Sequence, residues 1–461
     1  MGYEVIIVGG GIAGLAAAYE LQRRGVPFRL FERSPRLGGV IVSERIGAFT
    51  FDAGPDALLV QKPAAITLCR ELGLGDRLFP TSLPRSAYIM KPGALHRLPE
   101  GSMLGIPRNV TALAATRLFS VAGKARMAAE LVVPRRRDGA DESIASFIGR
   151  RFGAEAVTYL ADPLLAGIHA GDVNRLSMRA LFPRFLDAER KYGSVLRAFR
   201  QIRQPKSSQG AFMSLPGGLE EIVRALARVL PAGAIATRTG VRAVARGSGY
   251  AVTLETGEVV TAPAVVVCAP AFAAAEILRP ADGDLAALCA SIPYASSATL
   301  TLAYRRDQVA HPLRGSGFVV PRVEGTIVMA GSWISSKWRD RAPEGSVLLR
   351  AFVGGARDPE AVRRPDDEIV AAARAEMTRI HAVSGEPIFS ALHRWDRANA
   401  QHNVGHLDII AAIDRRLAAL PGLYVTGSGF RGVGVPDCVA DARQVAGDVA
   451  TWVESTRSSA V

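Results

Sequence analysis

Gly9, Gly11 and Gly14 stand in the spacing G-x-G-x-x-G, and Glu32 follows 23 positions after the first of them. Gly9 permits a tight turn, Gly11 lets the backbone approach a pyrophosphate, and Gly14 lets a helix pack closely on a strand. The phosphates then rest on the N-terminus of the helix that follows, because free N–H groups and the helix dipole favour negative charge there. An acidic side chain at the place of Glu32 accepts hydrogen bonds from an adenosine ribose. It also repels a 2′-phosphate, which argues against NADP. The glycine spacing alone is weak, so the flanks decide. Residues 3–8 are rich in β-branched side chains and predict a buried parallel strand. A helix is predicted over 15–24, closed by Gly25, and a second strand over 26–31 ends at Glu32. Strand, helix, strand and acid in register make a dinucleotide site.

The next segments are Arg33-Ser34-Pro35-Arg36-Leu37-Gly38-Gly39 and Phe51-Asp52-Ala53-Gly54-Pro55-Asp56. They resemble the glycine-arginine extension of the glutathione-reductase-like FAD proteins, specifically the amine-oxidase superfamily. The resemblance implies that R-x-G-G runs along the pyrophosphate and ribityl chain. Gly38 and Gly39 then allow close backbone approach, and Arg36 pairs with phosphate. It implies one non-covalent FAD per chain, with Ile12, Ala13, Arg33, Gly54, Pro55, Asp56 and Val241 among the residues around it.

Near the C-terminus, Gly427, Gly429 and Gly432 repeat the spacing after a strand-like run, but only 29 residues remain beyond Gly432. That is too few for a second binding half. The better reading is a return to the flavin, with Gly427, Gly432, Val433, Gly434 and Val435 at the cofactor and Pro436 as a helix-opening residue. The positive end of that helix would face the flavin's pyrimidine edge and stabilise the reduced form.

The chain has 461 residues, too many for one compact core, with 49% hydrophobic and 21% charged residues. Its net charge of +13 comes from 56 basic and 43 acidic residues, and only six of the bases are lysine. No basic tail and no interleaving of arginine with aromatics is present, which argues against nucleic acid. Carboxylated substrates or an anionic membrane surface suit an arginine surplus better. Cys69, Cys268, Cys289 and Cys438 are scattered, without metal spacing, as expected of a reducing, cytoplasmic compartment. The nucleotide fold begins at once, so no signal peptide is expected. The most apolar later run, 259–278, is broken by Pro263 and Pro270 into strand, loop and helix, too short to span a membrane.

The elements that must position these residues divide the chain into five parts. A first FAD-binding part is expected over 1–80, and a mostly helical insertion on the substrate side over 81–206. FAD-binding sequence resumes over 207–290, a substrate sheet follows over 291–390, and the FAD domain closes over 391–461. Within the insertion a hairpin turns at Gly93, residues 109–206 are largely helical, and Asp141 reads as an N-cap. Strands are expected over 235–244, 250–255 and 259–268, the last two joined through Gly257. Alternation over 292–354 predicts an antiparallel sheet, and a long helix follows over 366–383.

Taken in order, these segments resemble the protoporphyrinogen/coproporphyrinogen oxidases. The residues carrying the resemblance are the N-terminal fingerprint, Arg85 with Gly93-Ala94-Leu95-His96-Arg97-Leu98-Pro99, and Ala166-Gly167-Ile168-His169-Ala170-Gly171-Asp172. Leu176-Ser177-Met178-Arg179-Ala180, Val404-Gly405-His406 and Gly432-Val433-Gly434-Val435-Pro436-Asp437-Cys438 continue it. The resemblance implies an α/β fold: a Rossmann-like FAD domain, a mixed-sheet substrate domain and a helical insertion. It implies six-electron oxidation of a porphyrinogen to a porphyrin by O₂, with hydrogen peroxide released. Arg85 matches an arginine that pairs with a substrate propionate, and Gly167 a glycine lying against the macrocycle. His169 stands where relatives commonly carry an aromatic residue. Trp333 and Trp338 could supply flat apolar walls, and His406 is most simply structural. No side chain is marked as an essential base, since the flavin's N5 takes hydride without one.

Pro55-Asp56 and Pro436-Asp437-Cys438 look like the soluble bacterial branch, which favours coproporphyrinogen III. The membrane-associated branch often has asparagine at both points and favours protoporphyrinogen IX, so the substrate stays open between the two. Peripheral contact with the inner face of the cell membrane and contact with ferrochelatase are further expectations. Monomer and homodimer both stay open. Two other classes share the scaffold. A flavin amine oxidase or carotenoid desaturase is set apart by Tyr424-Val425-Thr426-Gly427-Ser428-Gly429, where amine oxidases typically carry an A-G-E type segment. A non-enzymatic binding protein like the GDP-dissociation inhibitors would not need both flavin-contacting ends.

Overall fold

The computed structural model describes residues 4–99, 106, 110–201 and 210–458. The expected boundary at 206/207 lies outside these residues. At the centre stands Val5–Val8, every residue of it buried, paired in parallel with Phe28–Phe31 on one side and Ala264–Val267 on the other. Ile235–Ala236 and Leu423–Val425 complete a five-stranded parallel sheet. Such a sheet is covered on both faces, which is why its strands are continuously apolar and do not alternate. One face carries helices Ile12–Arg23, Glu220–Val229 and Val435–Ser458. The other carries Ala271–Leu278, Gly283–Ala290 and His406–Ala418, with the three-stranded sheet of Val241–Arg246, Tyr250–Leu254 and Val259–Ala262. Widely separated stretches of sequence thus build one domain.

The second sheet has seven strands. In spatial order they are Phe389–Ala400, Tyr294–Arg305, Ser346–Gly354, Val328–Trp333, Gly317–Val319, Ala87–Lys91 and Ala94–Arg97. All neighbours are antiparallel except Gly317–Val319 and Ala87–Lys91, so the sheet is mixed as expected. One face packs under helix Asp366–His381. The opposite face turns to the nucleotide domain. There Thr299 Oγ1 donates to Ala53 O at 2.9 Å, and Ala303 and Leu348 pack with Phe49 and Phe51. A helical insertion with its own core, built on Phe147, Phe152, Leu160, Phe185 and Phe199, covers the far strands. Its polar centre is Arg151, fully buried between Glu130 and Glu189. Among the described residues no helix is long and apolar enough to cross a membrane.

Four local expectations need correcting. The run 235–244 is two strands in different sheets, because the chain leaves the parallel sheet after Ala236 and enters the small sheet at Val241. The run 259–268 likewise divides at Pro263, which cannot donate to a ladder. Asp141 is not the N-cap of helix Ile144–Phe152. Ser143 caps it, accepting from Ser146 N, while Asp141 accepts from Ser177 Oγ and Gly405 N. The boundary at 390 falls inside strand Phe389–Ala400, which pairs along its length with Tyr294–Arg305, so the sheet domain runs on to Ala400.

Candidate functional site

Two glycine loops meet over the N-terminus of helix Ile12–Arg23. Gly9 has φ +106° and Gly38 φ +101°, a region open to glycine at little cost, and Gly38 N donates to Gly10 O at 2.8 Å. A Cβ on Gly14 would lie 1.9 Å from Gly9 O, and one on Gly54 2.0 Å from Val40 O. Both positions therefore require glycine for packing. A Cβ on Gly11 would meet nothing within 4 Å. The first helical turn, at Ile12 and Ala13, thus opens onto clear space bounded by Gly39, and a pyrophosphate fits that space. Glu32 stands beside it at the end of Phe28–Phe31. Its Oε2 accepts the Gly10 N–H at 2.6 Å and its Oε1 the Ser34 N–H at 2.7 Å. Val241 is buried next to Phe31, and Thr239 N donates to Glu32 O. The acid and its neighbours form one rigid edge.

The two arginines of the extension turn elsewhere. Arg33 is exposed and pairs with Glu255 at 2.6 Å, across to the small sheet, so it leaves the cofactor cradle. Arg36 folds back on its own loop, its guanidinium donating to the carbonyls of Leu37, Gly39 and Ile41. It braces the Gly38-Gly39 turn, where the Gly38 N–H is spent on Gly10 O and the exposed Gly39 backbone is what a phosphate would meet.

Asp56 ties the loop that follows Phe49–Asp52 to the seven-stranded sheet. Its Oδ2 accepts from Lys337 Nζ at 2.8 Å and Trp338 Nε1 at 3.1 Å, and Arg350 Nη2 lies 3.3 Å away. Burial pushes this carboxyl up, but Lys337 and Arg350 outweigh it and hold the acid well below the usual range. Arg350 also donates to Asp52 O and Gly54 O. The segment Asp52–Asp56 is thereby clamped to the substrate sheet. Its carboxylate serves the clamp. Sequence reasoning passed over Lys337 and Arg350, because isolated bases in a strand-and-turn region carry no pattern.

At the C-terminal return, Gly427 has φ +125°, and Asp437 folds under the loop so that Gly432 has no room for a side chain and Gly434 little. Asp437 Oδ2 accepts from Gly434 N at 3.2 Å and from Lys62 Nζ at 2.7 Å. The helix begins at Val435, one residue before Pro436, and Val433 and Gly434 precede it. Lys62 is a third residue the sequence reading missed. Its rarity, as one of six lysines, was the available signal.

His169 is half-buried at the end of helix Asp162–His169, edge-on to Phe182 with ring centroids 6.5 Å apart. Burial, reinforced by the Lys62 charge and opposed by Asp437, lowers its pKa to about 4, so the ring is neutral near pH 7. Gly167 lies on the sheet, where a Cβ would come 3.1 Å from Val319 Cγ1 and 3.4 Å from Ala330 Cβ. Arg85 is exposed in the loop before Ala87–Lys91 and donates from Nε to Thr81 O at 3.1 Å. Trp333 must be corrected. It is fully buried on the sheet face under helix Asp366–His381, with Nε1 donating to His381 Nε2 at 2.8 Å, and belongs to the core. Trp338 is buried too, bound to Asp56. Burial pushes the Cys438 thiol up to about 12, which leaves no thiolate nucleophile beside the site. Among the described residues no group of three His, Cys, Asp or Glu side chains is placed to hold a metal ion.

The parallel sheet, the paired glycine loops, Glu32 and the helix-opening C-terminal return define a dinucleotide-binding flavoprotein of two-domain type. Residues 12–450 match the family of flavin containing amine oxidoreductases. The coproporphyrinogen III oxidase of Bacillus subtilis (strain 168) is 34% identical over 98% of this chain and 99% of its own. The chloroplastic protoporphyrinogen oxidase of Nicotiana tabacum is 27% identical over 97% of this chain and 85% of its own. A crystal structure from Exiguobacterium sp. 255-15, provisionally described as a protoporphyrinogen oxidase, superposes with a TM-score of 0.87 at 31% identity. It covers 98% of this chain and 99% of that one. The chain therefore belongs to the flavin containing amine oxidoreductases, in their porphyrinogen oxidase branch. It is an FAD-dependent oxidoreductase.

Proposed function

We propose that this protein oxidises coproporphyrinogen III to coproporphyrin III in haem biosynthesis, with O₂ as the terminal acceptor. The observation that carries the proposal is the 34% identity, end to end, with a coproporphyrinogen III oxidase. Protoporphyrinogen IX is the second reading, supported by the 27% match to a protoporphyrinogen oxidase. Six electrons and six protons leave the macrocycle, and three O₂ depart as three H₂O₂. Bound FAD supplies the hydride acceptor.

The chain's own residues bind and orient. The Gly9–Gly14 and Gly38-Gly39 loops take the pyrophosphate, and Glu32 the ribose. Arg85 is the anchor for one propionate, a forked donor suited to a carboxylate. The missing Cβ of Gly167 lets helix Asp162–His169 sit close on Val319 and Ala330, and the backbone there is the proposed neighbour of the macrocycle. His169, kept neutral, can accept a hydrogen bond from a pyrrole N–H without placing a second cation beside Lys62. The clamp from Asp56 to Lys337 and Arg350 fixes the substrate sheet against the cofactor segment. Peripheral membrane contact belongs to the same proposal, supported by the exposed Val121 and Val132 of the helical insertion. So does contact with ferrochelatase, which uses the product class. The reaction is tested by its stoichiometry. Three H₂O₂ should accumulate per porphyrin formed in air, with none in the absence of oxygen; porphyrin formed at full rate under anaerobiosis would refute O₂ as acceptor.

A further inference from the structure

Residues 401–406 knot three parts of the chain together. Their backbone is held by the helical insertion. Ser177 N donates to His402 O at 2.9 Å, Val404 N to Arg175 O at 2.9 Å, and Gly405 N to Asp141 Oδ2 at 3.1 Å. Gln401 Nε2 donates to His169 O at 3.1 Å, which ties the knot to the end of the substrate-side helix. Two rings reach the other way. His402 Nε2 lies 3.1 Å from Ser428 O, and His406 Nε2 lies 2.8 Å from Phe430 O.

Carbonyls only accept, so both Nε2 atoms carry a proton. The rings stack face to face, with centroids 3.8 Å apart and planes 12° from parallel. A charge on either ring would be pressed against its neighbour in a dry place, since both side chains are buried. His406 Nδ1 is buried with no partner, the state of an unprotonated nitrogen. Burial lowers both pKa values, that of His402 to about 3 with His406 as the next cause. The pair is therefore two neutral donors, fixed at one spacing by their stacking and aimed at alternate carbonyls of one turn. That turn closes through Phe430 N donating to Gly427 O at 3.0 Å. It has no slack, because a Cβ on Gly429 would lie 2.3 Å from the Tyr294 hydroxyl oxygen. It leads straight into Gly432–Val435.

We infer that His402 and His406 are a paired positioning device for the flavin: their two Nε2–H donors fix the turn 427–430, and through it the flavin-facing segment 432–435, relative to His169. The inference rests on the FAD reading and is independent of which porphyrinogen is oxidised.

The test compares leucine and glutamine at each position, with FAD affinity and the bound-flavin absorption spectrum as readouts. H402L and H406L should weaken FAD retention roughly five- to a hundredfold, as for an orphaned buried carbonyl. They should also shift the bound-flavin spectrum, which a general loss of stability would not do. H402Q and H406Q place an amide nitrogen near the lost Nε2 and should stay within about threefold of wild type. Leucine variants with wild-type affinity and spectrum would overturn the inference. Should leucine prevent folding, glutamine is compared with asparagine, which is too short to reach the carbonyl. A retained spectrum for glutamine alone supports the pair, and equal behaviour of the two overturns it. A wild-type protein that binds no FAD would instead overturn the flavin reading itself.

Discussion

Glu32 Oε2 accepts the N–H of Gly10 at 2.6 Å, so the acid that ends the second strand is bolted to the loop that ends the first. The carboxylate is thereby held at the edge of the phosphate cradle, with lone pairs left for a ribose. Glu32→Ala removes that bolt and the ribose contacts together. FAD retention should fall by roughly 1.5–3 kcal/mol for each charge-assisted hydrogen bond lost. Equilibrium titration of the apoprotein with FAD measures it, and an unchanged affinity would move the ribose contact to another residue.

Asp56 gives a pH-dependent prediction. Its carboxyl is held below the ordinary value, so its ionised form contributes stability above the unfolded pKa of about 3.9. That contribution is lost as pH falls below about 4 and the folded protein takes up the proton. Asp56→Asn leaves Lys337 and Arg350 without their partner and should cost about 3–5 kcal/mol near neutral pH. The loss should shrink when denaturant melts are repeated in acid. A variant as stable as wild type at pH 7 would show that the clamp does not hold the segment Asp52–Asp56 to the substrate sheet.

Arg85→Ala should raise KM for a porphyrinogen while leaving FAD content intact. If Arg85 grips a propionate equally in ground and transition states, its loss removes uniform binding and kcat changes little. The expected cost is about 1.5–3 kcal/mol, roughly ten- to 150-fold in kcat/KM. Arg85→Lys should recover only part, because a point charge replaces a fork. Kinetics equal to wild type would take Arg85 out of the site.

NADH and NADPH should not bleach the flavin under anaerobic conditions. The second G-x-G-x-x-G, at Gly427, leads into a turn whose Gly429 packs on Tyr294 and whose Gly432 packs on Asp437, and on our proposal that loop belongs to the flavin. Rapid reduction by either coenzyme would point to a reductase.

Much of this site was legible in the sequence because its demands are local. A glycine whose Cβ would strike Gly9 O, and an acid one strand away from it, are set by spacing along the chain. The strands split at Ala236 and Pro263 were harder, since each run stays apolar while it changes sheet. Trp333 was misplaced because alternation shows that a strand has two faces but not which one meets the ligand. Lys337 lies 281 positions from Asp56, and His402 and His406 lie 26 and 24 positions from the carbonyls they hold. Only the fold brings them together.

The central claim is tested most directly by presenting coproporphyrinogen III and protoporphyrinogen IX side by side to the FAD-loaded protein in air. Porphyrin fluorescence gives kcat/KM for each. Both should be oxidised, coproporphyrinogen III with the larger kcat/KM. A clear preference for protoporphyrinogen IX would contradict the substrate assignment, and failure to oxidise either by a protein that holds FAD would contradict the account as a whole.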